Sequence, residues 1–147
     1  MKEFLQAKGC VGVGKMDTPS KTILLVEDEE AIRRLFVFVL GPYGFTLLEA
    51  SNGMEAIRIA EGYDGPIDLL VTDLDMPKLG GAELAKRLEA MRPGLKIIFL
   101  SGVSQDAAIR PGYLNSLNPE ATFLQKPISP SHLVKTVRQK LGEEWRA

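Results

Sequence analysis

Four stretches of apolar sequence run directly into residues that can do chemistry. Residues 22–26 lead to Glu27-Asp28, 67–72 to Asp73, 96–100 to Ser101-Gly102, and 121–124 to Lys126-Pro127. If those stretches are neighbouring strands of one sheet, three carboxylates, a hydroxyl and an amine converge at one edge. Three acids held within a few ångströms repel, so either protons or a cation must neutralise them. The donors are all oxygens, with no His or Cys among them, and that set favours a hard ion such as Mg²⁺. Mg²⁺ keeps several waters and is held by one or two carboxylates together with phosphate oxygens. A serine can donate to a phosphoryl oxygen and a lysine can neutralise another. An aspartate between metal and lysine is then a candidate nucleophile, able to form an aspartyl phosphate.

Each piece also has a plain structural reading. Glu27-Asp28-Glu29-Glu30 suits the acidic first turn of a helix, and for that run alone the two readings stand about even. Asp73 and Ser101-Gly102 suit ordinary turns, and Lys126 before a proline means nothing by itself. The joint placement at successive strand ends is what chance explains poorly.

Positioning these residues requires alternating strands and helices. Period and punctuation predict strands at 22–26, 45–49, 67–72, 96–100 and 121–124. Helical spacing of Ile32, Leu35, Phe36, Val39 and Leu40 predicts a first helix stopped by Gly41-Pro42. A second helix spans 52–62, with Asn52 as cap and Glu55 three residues on. A third carries Leu84, Leu88 and Met91 and ends before Pro93. A short fourth helix is expected near 105–110, ended by Pro111-Gly112. The last has Ser129 as N-cap, Pro130 at its first position and Gly142 past its end. Strands of continuous apolar character imply a parallel sheet covered on both faces. Ligands of such sheets sit beyond the carboxyl ends of the strands.

The remaining sequence narrows the function classes. The chain has 147 residues, 45% of them hydrophobic and 25% charged, which fits one globular domain. A net charge of −1, from 18 basic and 19 acidic side chains, argues against a nucleic-acid footprint. The single cysteine, Cys10, excludes an internal disulfide and a cysteine-based zinc site. The longest apolar run, residues 35–40, is far too short to span a membrane. A soluble cytoplasmic protein is the expectation. Residues 1–20 read as a flexible N-terminal extension in which Met16 is a candidate native start.

The motifs Leu24-Leu-Val-Glu-Asp-Glu29, Asp68-Leu-Leu-Val-Thr-Asp-Leu-Asp-Met-Pro77 with Gly81, Phe99-Leu-Ser-Gly102 and Phe123-Leu-Gln-Lys-Pro127 together carry a resemblance. Over roughly residues 20–141 the chain resembles the response regulator receiver domain of two-component signalling. The resemblance implies a (βα)5 doubly wound α/β fold, flavodoxin-like, with strand order 2-1-3-4-5, across a receiver domain of 21–142 and a short tail of 143–147. It implies Asp73 as phospho-acceptor, Glu27, Asp28 and Asp73 as Mg²⁺ ligands with the backbone carbonyl of Asp75, Ser101 and Lys126 as phosphoryl-binding groups, and Ser101 also as a switch residue. Phe123 becomes the switch aromatic, and the Lys126–Pro127 bond is expected to be cis. Glu27 replaces the commoner Asp, Phe123 lacks a tyrosine hydroxyl, and the acidic Asp75 is expected to perturb the lifetime of the phosphoryl group. The implied partners are a sensor histidine kinase or a histidine phosphotransfer protein, and a downstream protein target. The face of the fourth helix, fifth strand and fifth helix would serve recognition or a homodimer. The segment 101–123 looks most like receivers fused to hybrid sensor histidine kinases, so a stand-alone receiver and a module of a longer kinase are both open.

The alternative is a haloacid-dehalogenase-like phosphatase with Asp73 as nucleophile, since Asp73-Leu-Asp75 satisfies its D-x-D core. Pro77 falls where that family opens a helix, and the chain is short for a cap domain. Gly9-Cys-Val-Gly-Val-Gly-Lys15 has phosphate-loop spacing, but Met16 stands where Ser or Thr is needed and no strand precedes it. His132, the only histidine, projects from the polar side of the last helix and reads as solvated. Residues 126–147 carry five basic and two acidic side chains, an ordinary solvated face or a docking surface for an acidic partner. Trp145 lies beyond the last helix, free either to pack back onto the domain or to meet a partner.

Overall fold

Leu24 and Val26 face one side of the central sheet and Ile23 and Leu25 the other, and every residue from Ile23 to Val26 is fully buried. A strand covered on both faces must be apolar throughout, which is why these segments lack the polar alternation of half-exposed strands. The computed structural model describes residues 20–76, 78–102 and 119–142. Its elements are β1 (Thr22–Val26), α1 (Glu30–Leu40), a 3₁₀ turn (Gly41–Tyr43), β2 (Thr46–Ala50), α2 (Gly53–Gly62), β3 (Leu69–Asp73), α3 (Gly81–Met91), β4 (Lys96–Ser101), β5 (Thr122–Gln125) and α4 (Pro130–Lys140). The five strands pair in parallel in the order β2-β1-β3-β4-β5, which is the doubly wound order expected. The helix expected at 105–110, the extension before residue 20 and the tail after residue 142 lie outside the described residues, as do Pro77 and the Gly9–Lys15 motif.

Two cores flank the sheet. On one face Ala56 and Ala60 of α2 and Leu84 and Leu88 of α3 pack against Leu24, Leu70, Ile97 and Phe99. On the other, Phe36 and Leu40 of α1 and Leu133 and Val137 of α4 pack against Ile23, Val71, Ile98 and Leu100.

Local signals set the helix ends. The Asn52 side chain accepts from the Glu55 N–H at 2.8 Å, and Glu55 Oε1 in turn accepts from the Ser51 N–H at 2.6 Å. Those bonds hold the Glu55 carboxyl below its usual range, the backbone bond from Ser51 contributing most. Ser129 caps α4 by accepting from the His132 N–H at 3.1 Å, and His132 is exposed as expected. Gly41-Pro42 ends the α-helix but does not reverse the chain. Gly41 keeps right-handed geometry through the 3₁₀ turn, and reversal waits for Gly44 at φ +83°. Pro42 lacks the N–H that an α-helix needs yet fits the start of a right-handed turn.

Strands β2, β3 and β5 begin one or two residues later than their sequence patterns suggest, and β3 therefore includes Asp73 as its last residue. At the amino edge of the sheet, the edge remote from Asp73, Lys21 and Gly142 line the same cleft of about 670 Å³.

Candidate functional site

All five strands run in one direction, so the residues that end them gather at the carboxyl edge of the sheet. Asp73 pairs with Leu100 in the β3–β4 register, and Ser101 pairs with Gln125 in the β4–β5 register. The Lys126 N–H donates to the Ser101 carbonyl at 2.7 Å, and this fixes the start of the loop that carries the lysine. The Lys126–Pro127 bond is cis, as expected.

The structure brings Glu27, Asp28, Asp73 and Lys126 together. One carboxylate oxygen from each of the three acids lies within 4.8 Å of the others. Lys126 Nζ sits 2.6 Å from Asp73 Oδ1 and 3.5 Å from Glu27 Oε1. Glu27 is fully buried and Asp73 nearly so, whereas Asp28 is exposed. The acidic run therefore divides. Glu27 and Asp28 face the site, Glu29 takes the N-cap position without a side-chain cap, and Glu30 pairs with Arg34 at 2.7 Å on the helix surface.

The electrostatics follow from that burial. Desolvation and the neighbouring Asp73 charge push the Glu27 carboxyl up to about 7, although its Oε2 accepts from the Glu29 N–H at 3.1 Å. Burial also raises Asp73, against the opposing pull of the Lys126 ammonium. Burial disfavours the Lys126 charge, but the Asp73 carboxylate beside it outweighs this and raises the lysine above its ordinary value.

Asp73 Oδ2 has no hydrogen-bond donor among the described residues, while Oδ1 and Glu27 Oε1 face the lysine ammonium. Buried carboxylate oxygens left in this state are expensive unless a cation completes them. The donor set is all oxygen, with one exposed acid open to solvent, and it fits Mg²⁺.

Ser101 is buried at the end of β4, next to this cluster. Asp75 is exposed in the loop after β3, and its side chain is not among the clustered acids. Phe123 on β5 is half-buried and packs on Phe99 of β4 with ring centroids 5.1 Å apart. Of the face that the resemblance assigns to recognition, β5 and α4 lie among the described residues and residues 103–118 outside them.

Two residues matter to this geometry in ways their sequence context does not reveal. Arg33 reaches back from α1, donating Nη1–H to the Glu27 carbonyl at 2.7 Å and pairing with Glu49 of β2 at 3.4 Å. It ties the turn that carries Glu27 and Asp28 to the neighbouring strand, and helical spacing alone marks it only as a polar position. Gly81 opens α3 directly against the phospho-acceptor candidate, where an added Cβ would stand 2.1 Å from the Asp73 carbonyl oxygen. The Gly81 N–H donates to the Leu74 carbonyl at 2.9 Å, so this approach is fixed at both ends.

Residues 23–138 match the response regulator receiver domain family. The chain is 39% identical over 127 residues to the sensor kinase CckA of Brucella abortus, covering 85% of this chain but only 13% of that kinase. It is 34% identical over 121 residues to the response regulator receiver protein CpdR of the same organism, covering 82% of this chain and 97% of CpdR. Among solved structures, the receiver domain of the hybrid histidine kinase CckA superposes with a TM-score of 0.68 at 36% identity, covering 82% of this chain and 98% of that one. Nothing in these likenesses favours the phosphatase alternative.

Proposed function

The chain belongs to the response regulator receiver family, a signalling module of two-component systems, and from that premise we propose that Asp73 is its phosphoryl acceptor. The observation that carries the assignment is the buried Asp73 carboxylate, 2.6 Å from the Lys126 ammonium on one oxygen and without a donor among the described residues on the other. In the reaction an Asp73 oxygen attacks the phosphorus of a partner's phosphohistidine. The O–P bond forms as the P–N bond breaks, and the imidazole leaves with the electron pair and takes up a proton.

Each neighbouring group has a task in that step. Lys126 holds the negative charge of the transferred group and keeps Asp73 ionised against the cost of its burial. The Ser101 hydroxyl donates to a phosphoryl oxygen, and its movement toward the new charge is relayed to Phe123 as the switch aromatic. Glu27 and Asp28, with the Asp75 carbonyl, would hold Mg²⁺, which when bound neutralises the acids and draws charge from the phosphoryl oxygens. Catalysis here is positioning and electrostatics. The phosphoryl group adds about −1.5 to −2 charges, enough to reorganise the loops around it.

The partners in this reading are a histidine kinase or phosphotransfer protein upstream and a protein target downstream. The module acts in the cytoplasm, either as a separate receiver or as part of a longer hybrid kinase. Among the described residues no helix is long and apolar enough to cross a membrane.

The test is labelling by a small acyl-phosphate donor with Mg²⁺, comparing the wild type with Asp73→Asn. Stoichiometric labelling of the wild type alone is expected. Equal labelling of both proteins, or of neither, would overturn the assignment.

A further inference from the structure

The cleft of about 670 Å³ at the amino edge of the sheet carries a charge that the acid site does not explain. Lys21, Arg92, Lys96 and Lys140 line it, with Asp68 as the one acid among the described residues. They come from four separate places in the chain: Lys21 precedes β1, Arg92 follows α3, Lys96 opens β4 and Lys140 closes α4. Asp68 is already engaged, because its Oδ2 accepts from the Thr22 N–H at 2.8 Å. Among the described residues no carboxylate forms an ion pair with any of the four basic side chains. Arg92 instead donates to the carbonyls of Gly65, Ala60 and Tyr63 at 2.7, 2.9 and 2.7 Å, and Lys140 Nζ donates to the Glu120 carbonyl. Carbonyl partners hold these side chains in place without cancelling their charge.

Part of that charge has a structural task. Helices α2, α3 and α4 all end at this pole, and each helix C-terminus carries about −0.5 charge that a basic residue offsets. Four cations against one carboxylate exceed this, and about 1.5 positive charges remain once the three helix ends are satisfied. The chain as a whole has a net charge of −1, so the excess is local. It is felt at Lys140, where burial and the Lys96 charge nearby hold the ammonium below the ordinary lysine value. Two ammonium groups kept together with no acid between them repel, and an anion that bridges them removes the cost.

We propose that this cleft binds an oligophosphate, either the phosphate chain of a nucleotide or a free polyphosphate, with Lys21, Lys96 and Lys140 as its ligands. Lysine suits this chemistry, being a point charge with three rotatable donors and a common phosphate binder. An acidic peptide alternates its side chains along an extended backbone, whereas an oligophosphate carries a charge on every phosphorus and so matches ammonium groups gathered in one cleft. The volume lies within the roughly 300–1,000 Å³ of small-molecule sites. No cluster of acids lies here to hold a metal, so the anion is taken up without one. A ligand seated here would join the first residue before β1 to the start of β4 and the end of α4, at the pole opposite Asp73.

The test is titration calorimetry of the full chain at low salt, with ATP and inorganic triphosphate as separate probes. Chelator is present throughout, so that Mg²⁺ cannot carry phosphate to the acid site. Saturable binding near one equivalent is expected, weakening as salt is added. Lys96→Gln, at an exposed position, should weaken it about tenfold, the scale of one charge-assisted contact, and Lys96→Arg should largely restore it. Lys135→Gln, on α4 but outside the cleft, should bind as the wild type does. ATP binding tighter than triphosphate identifies a nucleotide as the source, and triphosphate binding as tightly or more so identifies free polyphosphate. Absence of saturable binding at millimolar probe would overturn the proposal. So would binding that Lys96→Gln leaves within twofold, which would place the anion elsewhere. Hexaglutamate binding as tightly as triphosphate would make an acidic peptide the occupant and equally overturn it.

Discussion

Replacing Gly81 with alanine tests whether the start of α3 positions Asp73, the proposed phospho-acceptor. The new Cβ would lie 2.1 Å from the Asp73 carbonyl oxygen, 3.0 Å from its carbonyl carbon and 3.0 Å from Leu74 Cα. Ordinary contact begins near 3.4 Å, so the two backbones must separate by about 1.3 Å. Neither side yields easily. The Leu74 N–H is bonded to the Leu100 carbonyl at 2.8 Å inside the sheet, and α3 is anchored by buried Leu84 and Leu88. Overpacking of this kind costs about 1–3 kcal/mol, against which alanine recovers about 0.5–1 kcal/mol of helix propensity. Net destabilisation of about 1–2 kcal/mol should appear as a lower urea midpoint. The larger effect is on chemistry, because Asp73 moves with its carbonyl away from Lys126. A misplacement near 1 Å costs about 100-fold in rate, equivalent to about 2.7 kcal/mol on the barrier. The assay is the initial rate of Asp73 labelling by a small acyl phosphate at saturating Mg²⁺, read beside urea unfolding of the same samples. A Gly81→Ala protein that labels within twofold of the wild type would refute the positioning, whatever its stability.

Three further outcomes follow from the site. In chelator, stability should fall as pH rises from the ordinary Glu value of 4.5 through about 7, because folded Glu27 retains a proton that the unfolded chain releases. Asp73 is raised in the same sense, so the urea midpoint should be higher at pH 5.5 than at pH 8, with the difference reduced in Glu27→Gln; a rise toward pH 8 would contradict this. Arg33→Ala should weaken Mg²⁺ binding by about tenfold, the scale of losses from outer-shell partners, with Arg33→Lys intermediate because an ammonium cannot serve the Glu27 carbonyl and Glu49 as a planar fork does; titration calorimetry with unchanged affinity would discount it. Asp75→Asn should lengthen the phosphoryl half-life several-fold by removing a carboxylate able to orient attacking water, and equal dephosphorylation rates would dismiss that role.

The strands were legible because burial on both faces demands uninterrupted apolar residues, and the site was legible because charged groups interrupt those runs at their ends. Their convergence needed only the parallel arrangement. The strand order, the cis bond and the individual roles came from the resemblance. Three features lay beyond reading. Glu27 and Asp28 are adjacent acids, yet one is wholly buried and the other open, because the chain turns between them at the lip of the sheet. Arg33 sits among ordinary helix-surface charges, and only the return of β2 alongside β1 gives it Glu49. Gly81 belongs to the family motif, but its reason is a close approach between a helix start and a strand end, a distance that no spacing along the chain encodes.

The shared cleft of Lys21 and Gly142 at the amino edge has a consequence for how such a domain is wired into larger machinery. A tether at Lys21 or Gly142 would take hold at one pole, while the proposed phosphoryl chemistry occupies the other with one strand's length between them. A pull or a clash at the tether therefore bears on Lys21 and the last turn of α4 before it can disturb Asp73. The unit behaves as a plug with its contacts on the free end. This separation suits a module matched both by a small receiver protein and by a short stretch of a long kinase.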